Sequence, residues 1–166
     1  MRNAIALLAG VAVLGVANWT IHSRERLLSD GRIVLLELAP VDPRSLMQGD
    51  YMALRFKAMD EAFGRGRVEG IEDGRIVVRL DERGVGRFAR RDTGGPLAAG
   101  ELALRYRVRD GRVKFATNAF FFQEGHAKYY ARARYGEARV APSGELLLTA
   151  LRDDNLRRMG PPAAAP

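Results

Sequence analysis

The sequence of 166 residues contains no cysteine, which excludes disulfide bonds and thiolate metal sites. Its two histidines, His22 and His126, are too few for a histidine-rich metal site. Lysine is also scarce, since only Lys57, Lys114 and Lys128 occur among the 27 basic residues. We therefore predict no metal site, no cofactor and no assigned catalytic residue.

The formal net charge is +7 at pH 7, and it comes mainly from arginine. The arginines are spread along the predicted strands and turns, so we interpret them as ordinary surface charge. Attraction to anionic lipid headgroups or to another acidic partner is the alternative. Binding to nucleic acid is not predicted.

One long uncharged segment lies near the start of the chain. From Ala4 to Ile21 there is no ionisable side chain, and a helix of this length would span about 27 Å, enough for the core of a bilayer. Trp19 lies where an interfacial aromatic is expected. A cleaved signal peptide with its cut near Ala17 is the alternative, but the apolar run continues past that site. We predict a retained anchor helix with its juxtamembrane extension over residues 1–30.

This anchor predicts a location as well as a helix. We predict a single-pass protein of the cytoplasmic (inner) membrane, with the rest of the chain on the periplasmic, extracytoplasmic side. The count of basic residues on the two sides of the apolar segment does not decide the orientation. The lipid bilayer and an integral membrane protein are the predicted partners.

Residues 31–157 are predicted to form one β-rich domain, and residues 158–166 a disordered tail rich in Pro and Ala. Asp-Gly pairs between runs of alternating hydrophobicity are typical of type I′ hairpin turns. Asp73-Gly74 is predicted to join strands 68–71 and 75–80, and Asp110-Gly111 to join strands 101–109 and 112–116. Alternation of apolar residues with arginine in 101–109 indicates an antiparallel sheet with one buried face.

The predicted fold class is mainly β (α+β): an N-terminal transmembrane helix followed by an antiparallel β-sheet or barrel-like domain with one short helix. Further strands are predicted at 32–38, 51–57, 85–91, 139–140 and 145–151. Phe120, Phe121 and Phe122 are predicted to form the buried end of a strand. Residues 126–134 are predicted to be the one short helix of the domain.

The connection between the first two predicted strands is unusually long. A hairpin needs about two to five loop residues, whereas longer loops are usually functional. Asp42 and Asp50 can accept hydrogen bonds from loop amides, and Arg44 is their natural charged partner. Gly49 is expected to supply a backbone conformation that other residues resist.

Two interpretations of this loop stay open. Its polar side chains could only stabilise a long ordered loop, or they could meet later segments in a cleft that binds something polar. The candidate binding residues are Asp42, Arg44, Gln48, Gly49, Asp50, Tyr51, Gln123, Glu124 and Tyr135.

The strand that follows the loop has two faces of different character. Met52, Leu54 and Phe56 share one face, which we predict to be buried. Tyr51, Ala53 and Arg55 take the other face.

Residues 49–56 read Gly-Asp-Tyr-Met-Ala-Leu-Arg-Phe, a pattern that resembles the GDYXXLXY family of membrane-anchored bacterial and archaeal proteins. Segments 40–48, 120–125, 133–137 and 151–153 are similar to other blocks of the family, so the resemblance covers nearly the whole chain. The final Tyr of the motif is Phe56 here. The resemblance implies an N-terminal hydrophobic segment and multi-spanning membrane proteins as neighbours. It implies no reaction.

Three functions were compared on these grounds, and the first is favoured. It is a non-enzymatic, membrane-anchored envelope domain that serves as an accessory module for an integral membrane partner. The second is a Ser/Lys hydrolase distantly like a signal peptidase, with Ser45 as the nucleophile and a desolvated Lys57 or Lys114 as the base. The third is a small-ligand or cation site built from Asp42, Asp50 and Glu124.

Overall fold

The computed structural model describes residues 2–39, 47–48, 51–115, 117 and 119–162. Two α-helices and ten strands lie in this part of the chain, together with one turn of 3-10 helix at Ala127–Tyr129. Their bounds are α1 Arg2–Asp30, β1 Arg32–Glu37, β2 Met47–Gln48, β3 Tyr51–Ala53, α2 Lys57–Phe63, β4 Gly74–Leu80, β5 Val85–Arg91, β6 Glu101–Arg109, β7 Arg112–Lys114, β8 Ala119–Phe121, β9 Tyr135–Val140 and β10 Leu146–Arg152.

The C-terminal end of α1 is attached to the sheet. The helix ends at Asp30, as the Asp-Gly pair predicts, and the Gly31 amide donates to the Leu27 carbonyl at 3.1 Å. Leu27 is buried, and the Arg139 guanidinium donates to the carbonyls of Ser29 and Gly31, each at 3.1 Å. The start of β1 is therefore fixed at the point where α1 meets β9.

No helix in the described part of the chain has both the length and the apolarity that crossing a membrane requires. The transmembrane helix predicted from Ala4 to Ile21 is thus not confirmed.

The main sheet has seven strands in the order β10-β9-β1-β5-β4-β6-β7. All its pairs are antiparallel except β1 with β5, which are parallel, so the sheet is mixed. A parallel pair needs a long crossover, and here the crossover contains the whole motif and α2. In β1, Val34, Leu35 and Leu36 are all buried, as expected for a strand with neighbours on both sides and cover on both faces.

One of the two predicted hairpins is confirmed. β6 and β7 pair across Asp110 and Gly111, whose φ angles of 56° and 67° are typical of a type I′ turn. The prediction for Asp73-Gly74 is wrong, because residues 68–71 are not a strand and β4 pairs with β5 and β6. The Asp73 carboxylate instead accepts the Val108 amide at 2.7 Å, which joins the start of β4 to β6.

The predicted helix is in the wrong place. Residues 126–134 contain only the 3-10 turn, since Tyr130 packs its ring between Phe120 and Phe122, at centroid distances of 5.1 and 5.3 Å. The α-helix of the domain is α2, which begins where we predicted the end of a strand. It turns Ala58, Met59 and Ala62 inward, the spacing of a helix with one apolar face.

A second, three-stranded sheet has the order β2-β3-β8 and contains the motif. An isolated bridge between Leu38 and Phe56 links it to the main sheet. Met52, Leu54 and Phe56 are buried and Tyr51, Ala53 and Arg55 are only partly buried, so the two predicted faces are confirmed.

The predicted burial of all three phenylalanines is wrong for the middle one. Phe120 and Phe122 pack against the core, whereas Phe121 is 74% exposed. Successive side chains of a strand point to opposite faces, which accounts for the difference.

Candidate functional site

Most of the predicted loop lies outside the described residues. This is the case for Asp42, Arg44, Gly49 and Asp50. Gln48 is placed only as part of β2, where it pairs with Tyr51 of β3. Both interpretations of the loop therefore stay predictions.

The later candidate residues are divided between the two sheets. Tyr51 pairs with Phe121, the last residue of β8. Gln123 and Glu124 follow after Phe122 and have exposed side chains. Tyr135 lies in β9 of the main sheet, opposite Glu37 and Arg152. The second sheet thus places Tyr51 close to the end of β8, whereas Tyr135 belongs to the other sheet.

The first notable surface is the aromatic edge, which we define as Tyr51 and Phe121 on strands β3 and β8. Their ring centroids lie 5.8 Å apart. In the described part of the chain β8 is the outer strand of its sheet, and the outer side of such a strand has peptide groups that the sheet does not pair. Phe121 is the most exposed large apolar side chain of the described residues outside α1.

The second notable surface is the motif cavity, a cleft of about 330 Å³ beside the last three residues of the motif. Its floor is apolar, because Phe56, Met59 and Phe115 are all buried. Phe56 and Phe115 are in contact, with ring centroids 5.6 Å apart. The lining residues are Leu54, Arg55, Phe56, Met59, Asp60, Phe63, Gly64, Gly66, Arg67, Val68, Arg112, Val113 and Phe115.

The rim of the motif cavity is cationic. The Asp60 carboxylate forms ion pairs with Arg55 at 3.1 Å and with Arg65 at 3.6 Å. Arg67 donates to the Asp110 carbonyl at 3.3 Å, which brings it against the turn before Arg112. Arg112 lies 45 residues after Arg67 in the sequence. Each of these arginines fits an ordinary surface position, so sequence reasoning missed the cluster.

The described residues give little support to the other two functions. Ser45 lies outside them, and all three lysines are exposed. Lys57 is also paired with Glu37 at 3.3 Å, in a smaller cleft of about 240 Å³. Within the described ranges no group of three acidic or histidine side chains could hold a metal ion.

Two buried carboxylates, which the sequence did not single out, are held by arginine. Glu137 accepts hydrogen bonds from Thr149 Oγ1 at 3.0 Å and from Arg152 Nε at 2.6 Å. Glu101 accepts from the Ala98 amide at 3.1 Å and pairs with two arginines. The Ala98 amide, and then the two guanidinium groups, lower the pKa of Glu101 below its ordinary value. Each carboxylate therefore links its own strand to at least one other strand of the main sheet, and its charge is balanced by arginine.

These features define a class: a mainly β domain of two sheets that follows a long helix and has an aromatic edge and a cationic cavity next to one motif. The sequence model of the GDYXXLXY protein family matches residues 13–151, so the chain belongs to this family. The resemblance seen in residues 49–56 is thereby confirmed. No curated protein and no solved structure matches the chain.

Proposed function

We propose that this protein is a non-enzymatic accessory module, tethered to the cytoplasmic membrane, that binds an integral membrane protein through the aromatic edge. The observation on which this rests is the 74% exposure of Phe121 on an outer strand. An aromatic side chain of this size, left in water beside a second aromatic ring, is the kind of residue that dominates protein interfaces.

The chemistry of the edge indicates how the partner is bound. An extended segment of the partner adds to β8 by main-chain hydrogen bonds, and its side chains pack on Phe121 and Tyr51. Gln123 and Glu124 are exposed just beyond the strand, where they supply polar groups for the rim of the interface.

The tether is supported by the surface of α1. Its described apolar side chains point to all sides of the helix, because successive residues are rotated by about 100°. A helix that is apolar all round needs an apolar medium all round, which a bilayer provides. Exposed fractions run from 56% to 78% for Val11, Val13, Leu14, Val16, Trp19 and Ile21.

We propose that α1 tethers the chain to the membrane and that the domain lies on the periplasmic side.

The binding proposal is tested by photo-crosslinking in native membranes. A photoreactive phenylalanine analogue replaces Phe121 in the full chain, and the crosslinked products are identified by mass spectrometry. We expect one integral membrane protein to be captured, and we expect Phe121→Ser to abolish its copurification with the full chain.

The matched control places the same analogue at Leu97, another exposed apolar residue of the domain, which lies in the loop before β6. We expect no capture there. Equal capture at both positions, or unchanged copurification after Phe121→Ser, would reject the aromatic edge as the binding surface.

A further inference from the structure

We propose that the motif cavity is a binding site for a small soluble organic anion with an apolar body, such as an aryl or acyl carboxylate or phosphate. This site is distinct from the aromatic edge, and the choice of a soluble ligand over a lipid rests on the tether proposed above. Its volume of about 330 Å³ is at the lower end of the range of about 300–1,000 Å³ found for small-molecule sites.

The apolar body of the ligand is inferred from the floor of the cavity. Phe56, Met59 and Phe115 form a buried apolar surface below the opening, and Phe63 and Val113 extend it at the sides. A flat aryl group or a short acyl chain that packs on this floor and on the half-buried Phe63 and Val113 would leave water, which stabilises binding by about 25 cal/mol for each Å² of apolar surface buried.

The anionic head is inferred from the charges of the lining. Three guanidinium groups and one carboxylate line the cavity, which leaves an excess of positive charge. Asp60 already pairs with Arg55. Arg67 and Arg112 are exposed at the mouth, and among the described residues no carboxylate pairs with Arg112. Planar guanidinium groups bind carboxylate and phosphate oxygens with two parallel hydrogen bonds.

The position of the cavity favours a soluble ligand over a lipid of the bilayer. α1 joins the domain at Gly31, at the start of β1. The cavity lies beyond the other end of that strand, because Phe56 of its floor forms a bridge with Leu38. A ligand in the cavity therefore lies at the opposite end of β1 from the junction with α1, about one strand length or roughly 17 Å away.

The experiment is a titration of 4-fluorophenyl phosphate followed by 19F line broadening. The protein is the full chain in nanodiscs of phosphatidylcholine, which has no net charge. We expect saturable binding. We also expect competition by phenyl phosphate to be at least about tenfold stronger than competition by inorganic phosphate, which lacks the apolar body, or by benzyl alcohol, which lacks the charge.

Two substitutions with opposite expected effects test the electrostatic argument. Arg112→Gln removes a cation from the mouth and should weaken binding by about fivefold to tenfold. Asp60→Asn removes the carboxylate that competes with the ligand for the arginines, and should strengthen binding. Arg132→Gln, which changes an exposed arginine outside the lining, is the matched control and should leave the affinity unchanged.

The opposite signs separate a binding role from a structural one, because damage to the fold would weaken binding in both variants. Thermal unfolding of each variant checks that the domain is intact. Equal affinity of the natural protein and all three variants for the probe would overturn the proposal. Displacement of the probe by inorganic phosphate as effectively as by phenyl phosphate would also overturn it. Displacement of the probe by phosphatidylglycerol in the nanodiscs would identify a lipid headgroup as the ligand and reject the soluble source.

Discussion

The ring of Phe56 packs directly against Gly136 of β9, the strand next to the edge strand β10 of the main sheet. A Cβ atom on Gly136 would lie 3.0 Å from Phe56 Cε1 and 2.9 Å from Leu148 Cδ1. The Leu148 side chain is half-buried and its end can shift, but the Phe56 ring cannot move easily, because it is buried and interiors are packed without voids. The missing side chain at Gly136 is therefore what allows the end of the motif to reach the sheet.

Gly136→Ala is expected to destabilise the protein by about 1–3 kcal/mol, the usual cost of overpacking a core. Urea unfolding followed by circular dichroism measures the change. Gly95→Ala is the control, since a Cβ atom there meets no atom within 4 Å, and its stability should be equal or slightly higher. Equal stability of both variants would contradict the packing argument.

The core residues of the motif could be predicted from the sequence because a strand alternates its faces. Met52, Leu54 and Phe56 were assigned to the buried face from spacing alone, and they are buried. The close approach of Gly136 could not be predicted, since it depends on which strand lies opposite.

Three strands are tied together by one carboxylate. Glu101 begins β6, and its partners Arg79 and Arg90 belong to β4 and β5, at 3.3 and 3.0 Å. These contacts join β6 to its neighbour β4 and to β5, the strand on the far side of β4. The pKa of Glu101 is lowered by the Ala98 amide and by both arginines.

A carboxyl with a lowered pKa in the folded state stabilises the fold above its ordinary pKa of 4.5 and loses this effect as the pH falls through its folded value. Glu101→Gln should therefore be less stable than the natural protein at pH 7, with a difference that shrinks at about pH 3. Urea midpoints at the two pH values measure this. Glu82→Gln, in the exposed turn between β4 and β5, should show no such convergence. If the loss of stability caused by Glu101→Gln were the same at both pH values, the stabilising role of the Glu101 carboxylate would be refuted.

Elements set by local chemistry were predictable, and those set by distant contacts were not. The type I′ turn at Asp110-Gly111 is determined by its own residues and was found. The hairpin turn predicted at Asp73-Gly74, a pair with the same two residues, is not formed. The Asp73 carboxylate instead accepts the amide of Val108, on another strand. The helix predicted at 126–134 failed in the same way, since burial of Tyr130 between two phenylalanines overrides helix propensity.

On the scale of the whole molecule, α1 differs from every other element in its exposure. Most large apolar side chains in the described part of the domain pack in one core, whereas the six described for α1 between Val11 and Ile21 are all exposed. This contrast is the reason for the proposed tether.

Leu14→Arg places a charge in the middle of the apolar segment, where insertion costs about 2.5–3.5 kcal/mol. We expect this variant to be released from membranes by alkaline carbonate, whereas the natural protein is retained. Leu28→Arg, an exposed leucine near the end of α1, is the control and should be retained. Retention of both variants would argue against the proposed tether.

The mainly β class and most strands were predictable from alternation, but the order of the strands was not. Nothing in residues 32–37 indicates that β1 lies between β5 and β9. The motif cavity was hidden for a similar reason, because Arg55, Arg67 and Arg112 come together only through the fold.

The central place of β1 has a consequence for synthesis of the chain. Leu36 pairs with Gly136, 100 residues later. Because ribosomes add about 5–20 residues per second, β1 leaves the ribosome roughly 5–20 s before its partner strand exists. During this interval β1 lacks one of the two strands that flank it in the sheet, so Val34 and Leu36 cannot reach their final buried positions until β9 has been made.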